Sequence, residues 1–176
     1  MLSFDLDNNS RKARFIPPGY PDLLFLFDTG ADVPVWCKGL QELLDIAPDA
    51  RIISDRFILS GFGKGYEITD AYCIPEFQLS DGVNSVTLHN LIVAVTNRPV
   101  MEVDFVIPWS IFIRSKVVLD RLASLINSTI TIETPSDDIH IFYKHIDLTE
   151  EQMQRLGIDD NKMIQEVYTQ DDNDVC

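Results

Sequence analysis

Between about residues 23 and 144, short apolar runs alternate with turn residues. Runs rich in β-branched and aromatic side chains recur at Leu23–Phe27, Val33–Trp36, Arg56–Leu59, Glu67–Ile74, Glu76–Leu79, Ser85–Leu88, Leu91–Val95, Phe105–Ile107, Val117–Leu119, Thr129–Glu133 and Ile139–Tyr143. Gly30, the Gly61–Gly65 stretch, Ser80-Asp81-Gly82 and Asn97-Arg98-Pro99 punctuate them. Many short strands with frequent turns predict an all-β sandwich or barrel. One segment departs from this texture: Leu40, Leu43 and Leu44 share a helical face, which predicts a helix over Leu40–Ile46. No apolar run approaches the ~20 residues that a membrane helix needs.

The flanks read differently. Residues 1–21 are expected to be an N-terminal extension, because Pro17-Pro18-Gly19-Tyr20-Pro21 resists both helix and sheet interior. Residues 145–176 lack strand-like runs. Thr149-Glu150-Glu151-Gln152 fits a capping box and Gly157 a helix stop, predicting a short helix over 149–156 followed by an acidic tail. The main domain is then 22–144.

Charge narrows the partners. The 176-residue chain carries 14 basic and 28 acidic residues, a formal net charge of −14, and residues 145–176 hold −7 of it. A body this acidic repels phosphate backbones, which argues against nucleic acid as a partner. Cys37, Cys73 and Cys176 cannot all pair within one chain, and sparse, odd cysteine usage suits a reducing compartment. The N-terminus has acids before its basic cluster and no apolar core after it, unlike a secretory signal. The expectation is a cytoplasmic protein with no membrane partner.

Three stretches carry candidate chemistry. In Leu23-Leu24-Phe25-Leu26-Phe27-Asp28-Thr29-Gly30-Ala31-Asp32 an apolar strand runs into an acid, then a small hydroxyl residue and glycine. An ionised Asp28 at the end of a buried strand is costly without compensation. A tight turn at Gly30 supplies it by aiming backbone amides at the carboxylate. The second stretch, Phe57 to Ile68, places Gly61, Gly63 and Gly65 at alternate positions between two strand-like arms, which predicts a long hairpin with a glycine-rich tip. It is no phosphate loop, since Tyr66-Glu67-Ile68-Thr69 reads as strand and the Gly-x-x-x-x-Gly-Lys-Ser/Thr pattern is absent. The third stretch, Asp104-Phe105-Val106-Ile107-Pro108-Trp109-Ser110-Ile111-Phe112, is an apolar strand followed by a turn and a short amphipathic segment.

In this order the three stretches resemble the retropepsin-like (retroviral-type) aspartic peptidases, and within that group the texture resembles bacterial members. The resemblance spans roughly residues 22–135. It implies a closed acid-protease barrel with a flap hairpin and one or two short helices, acting as a peptide hydrolase without a cofactor. The chain holds a single Asp-Thr/Ser-Gly, so the resemblance also implies a C2 homodimer in which each copy supplies one carboxylate. By that resemblance Asp28 is catalytic, and Thr29, Gly30 and Ala31 support its loop, Thr29 by bonding across the axis. Asp32, Gly61, Phe62, Gly63, Val106 and Ile107 contact substrate, an extended peptide with apolar flanks. Pro108 stands where the family usually has glycine, and Trp109 where retroviral members carry an arginine that pairs with the acid aligned to Asp32.

Other chemistries fit less well. Asp-x-Asp phosphohydrolases need an acid two residues after Asp28, where this chain has Gly30. The cysteines and histidines lack metal-ligand spacing, and His140 and His145 point to opposite faces of one predicted strand. Cys37 reads as a small buried hydrophobe rather than a nucleophile. The competing reading is a catalytically silent module of the same fold that dimerises or binds peptides.

Overall fold

The computed structural model describes residues 1–6, 12–15, 22–60, 66–96, 102–121, 128–141, 143–147, 151, 154 and 164–168. In chain order the elements are β1 (Leu2–Leu6), β2 (Lys12–Phe15), β3 (Leu23–Asp28), β4 (Val35–Trp36), α1 (Leu40–Ile46), β5 (Arg51–Ser60), β6 (Tyr66–Ser80), β7 (Ser85–Val95) and β8 (Phe105–Pro108). A 3₁₀ turn (Trp109–Phe112) then leads to β9 (Lys116–Arg121), β10 (Ser128–Glu133), β11 (Asp138–His140), β12 (Tyr143–Asp147) and β13 (Ile164–Tyr168). Among the described residues the protein is all-β apart from α1, the 3₁₀ turn and the helical Glu151 and Gln154, and α1 occupies the segment that the leucine spacing predicts. No helix among the described residues is long and apolar enough to cross a membrane.

Strand pairing makes a large sheet in the order β2-β3-β8-β4-β7-β6-β5, with β11 also on β7, and a three-stranded sheet β1-β10-β9. A third, two-stranded sheet pairs β12 with β13. The closed barrel implied by the resemblance is not formed: among the described residues the hydrogen-bonded path starts at β2 and ends at β5 without joining them. The two larger sheets instead share one core. Alternation along β1 buries Leu2, Phe4 and Leu6 and leaves Ser3 and Asp5 outside. Phe4 meets Phe25 of β3 edge to face at 5.1 Å, and Phe27 continues the stack towards Phe112.

Two expectations about the flanks are corrected. The segment before residue 22 is no mere extension, because β1 lies antiparallel to β10 from Leu2↔Ile132 to Leu6↔Ser128 and fills the core. Its prolines, residues 17–21, lie outside the described residues. The acidic end is not strand-free either: Tyr143–Asp147 pairs antiparallel with Ile164–Tyr168. Of the helix predicted over 149–156, Glu151 and Gln154 are helical and the rest lies outside the described residues.

The turn after β6 ties the sheets together. The Asp81 carboxylate accepts hydrogen bonds from the amides of Ser3 (2.8 Å), Val83 (2.8 Å) and Asn84 (2.6 Å). Gly82, at φ 90°, gives this turn its left-handed step. Desolvation pushes the Asp81 carboxyl up, but the bonds from the Asn84, Val83 and Ser3 amides and the Asn84 side chain outweigh it, so its pKa is lowered. We expect Asp81→Ala to cost about 1–2 kcal/mol at neutral pH, as for bonds to a charged acceptor. Because the folded pKa lies below the unfolded one, this contribution is complete above the ordinary value of 3.8 and shrinks as pH falls through the folded value. Urea unfolding at several pH values checks this: the gap between wild type and variant should narrow in acid.

Candidate active site

The apolar run Leu23–Phe27 forms β3 because strands on both sides and core below bury it, and Asp28 closes the strand half-buried. Thr29 and Gly30 then form an exposed turn. The Gly30 amide donates to Asp28 Oδ1 at 2.8 Å, as the Asp-x-Gly spacing predicts. A Cβ at Gly30 would stand 3.4 Å from that oxygen, an ordinary contact. Ala31 packs partly buried against the core, Asp32 is exposed, and Val33 returns the chain to the interior.

The third stretch lies directly alongside. β8 runs parallel to β3, with Phe25 opposite Phe105, Leu26 opposite Val106, Phe27 opposite Ile107 and Asp28 opposite Pro108. Two segments about eighty residues apart in sequence thus meet at the candidate acid. Asp104 holds that register at the other end of β8. Its Oδ2 accepts from the Leu24 amide at 2.8 Å, its own amide donates to the Leu24 carbonyl at 2.8 Å, and its carbonyl accepts from the Cys37 amide at 2.9 Å. Lys38 Nζ lies 3.7 Å from Asp104 Oδ1. This positioning role was not read from the sequence, although an acid heading an apolar strand is the same kind of signal as Asp28.

Val106 and Ile107 are 1% and 0% exposed. Within one copy they belong to the core rather than open surface, and β8 runs beside the strand that ends in the candidate acid. Just beyond Pro108, Trp109 Nε1 and Ser110 Oγ are buried without a hydrogen-bond partner.

The hairpin predicted for the second stretch is present in its arms. β5 and β6 pair antiparallel up to Ile58↔Ile68, Leu59↔Glu67 and Ser60↔Tyr66. Its tip, Gly61, Phe62, Gly63, Lys64 and Gly65, lies outside the described residues. The structure sets the first and third stretches side by side, while the hairpin arms lie at the β5 end of the same sheet, with β8, β4 and β7 between them and β3. Cys37 is half-buried against the core, with Sγ 3.7 Å from the Val35 carbonyl.

A separate titratable cluster sits on β7. His89 Nε2 is 2.8 Å from Asp138 Oδ1, Nδ1 is 3.8 Å from Glu76 Oε1, and the ring stacks on exposed His140 at 4.5 Å with 11° between planes. Parallel rings turn their nitrogen lone pairs away from a shared point, and no group of three ligands suited to a metal occurs among the described residues. No family model, curated protein or solved structure matches the chain, so its functional reading rests on the geometry of its own residues.

Proposed function

We propose that this protein is a homodimeric aspartic endopeptidase of the retropepsin-like kind, and by texture a bacterial one. The observation that carries the reading is Asp28: a half-buried acid ending an apolar strand, hydrogen-bonded by the Gly30 amide two residues on and in register with Pro108 of the third stretch.

Two Asp28 carboxylates, one from each copy, share one proton. Close carboxylates do not both ionise readily, so one holds the proton while the other is ionised. The ionised one takes a proton from a water that attacks the peptide carbonyl. The protonated one gives its proton to the leaving amine. In this reading exposed Thr29 bonds its twin across the axis, and Gly30 and Asp32 meet substrate backbone. Gly61–Gly65 closes over the peptide and excludes water. The substrate is an extended peptide with apolar flanks.

The test is cleavage of a mixed peptide library at mildly acidic pH. We expect cuts between apolar residues, blocked by pepstatin-like transition-state mimics. Cuts directed by Lys or Arg, or none that such mimics block, would count against the reading. The second reading, a silent peptide-binding or dimerisation module, draws on Pro108 and Trp109 standing where the family differs, and on the burial of Val106 and Ile107.

A further inference from the structure

β9 is the outer strand of the three-stranded sheet, and among the described residues no strand pairs with its far edge. Val118 and Leu119 are each 39% exposed, and Ile113 just before the strand is 70% exposed. Native edges are usually blunted by charge, proline or a bulge, because an open row of amides and carbonyls templates further pairing. Between Lys116 and Asp120, β9 offers only Val117, Val118 and Leu119.

Pairing with β10 assigns the faces. Val117 lies opposite Ile132 and Leu119 opposite Ile130, both buried, so these two belong to the inner face. Lys116, Val118 and Asp120 then share the outer face. We propose that β9 pairs antiparallel with β9 of a second copy of this chain, about a two-fold axis through Val118. The inference rests on the peptidase reading for its occupant, since that reading requires a second copy.

The register follows from elementary sheet geometry. Paired residues share a face, so keeping both inner faces on one side requires a register centred on a residue. Centred on Val118, Val117 meets the partner's Leu119 and Lys116 meets the partner's Asp120. Apolar faces apolar and opposite charges face each other. Centred on Val117, Lys116 would face the partner's Val118. Centred on Leu119, Val118 would face the partner's Asp120. Only the Val118 register matches chemistry on both faces.

Sedimentation of the full chain across a concentration series tests this. Wild type should dimerise. Val118→Lys sets two ammonium groups opposite each other on the axis and should weaken the dimer at least about tenfold. Lys116→Asp should weaken it similarly, and Lys116→Asp with Asp120→Lys should restore it. Both of these variants lose the 3.2 Å contact of Lys116 with Glu133, so recovery reports the contact between copies. Circular dichroism checks that each variant is folded. A monomeric wild type, or a dimer indifferent to Val118→Lys and to the charge exchange, overturns the interface. Peptidase activity separates the two ideas: an inactive dimer with these β9 responses keeps the interface and overturns the enzyme, while an active dimer without them does the reverse.

Discussion

Asp28→Asn should lower peptide cleavage by about 10²–10⁴-fold, the range that general acid–base groups contribute. The amide oxygen of asparagine still accepts from the Gly30 amide, now 2.8 Å from Asp28 Oδ1, so the turn persists. The fold and dimer should therefore survive, with an unfolding free energy in urea within about 0.5 kcal/mol of wild type. What is lost is the ability to take and return a proton. The substitution also divides the two readings. A binding module keeps its peptide affinity unchanged, whereas the enzyme keeps affinity and loses turnover. Retained cleavage by a fully folded Asp28→Asn protein would sink the catalytic assignment.

Phe25→Ala should destabilise the protein by about 3–5 kcal/mol, as expected when a large aromatic is removed from a packed core. Phe25 is wholly buried and meets the edges or faces of Phe4 at 5.1 Å and Phe27 at 5.0 Å. It therefore joins the two larger sheets and sits three residues before the candidate acid. Against a typical total of about 5–15 kcal/mol, such a loss is a large share of the stability. Urea unfolding measures it, and a cost under about 1 kcal/mol would mean that the sheets do not depend on this contact. Phe25→Leu should recover part of the loss, because the side chain still fills much of the space.

Local pattern and long-range pairing contributed unequally to what the residues disclose. Glu67–Ile74 and Glu76–Leu79 read as two strands because Pro75 intervenes, and Ser85–Leu88 and Leu91–Val95 read as two because His89 and Asn90 intervene. In the fold each pair is one strand, β6 and β7. The ladder runs from Ile74↔Leu91 to Glu76↔His89, so Pro75 and Asn90 share a rung. Proline brings no amide there, and Asn90 takes a φ of 60°. Two interruptions facing each other cost one rung, where each read alone looks like a strand end.

The same division holds at the site. Asp28, Thr29 and Gly30 announce a strand end and an acid-binding turn through identity and spacing alone, because both are settled within three residues. Val106 and Ile107 announce only that they are apolar, which suits a pocket wall and a core equally, and burial against other strands makes them core. Asp104 gained its role only when Leu24 was brought beside it.

The amino-acid sequence by itself determined the all-β character, the helix at Leu40–Ile46, and the acid at the end of an apolar strand, since periodicity and turn chemistry act over a few neighbours. Only the tertiary structure decided that β1 is core, that β12 pairs β13, that among the described residues the large sheet does not close, and that β3 lies beside β8. Those are choices of partner between distant strands with similar apolar faces, and they are made by packing all of the faces at once.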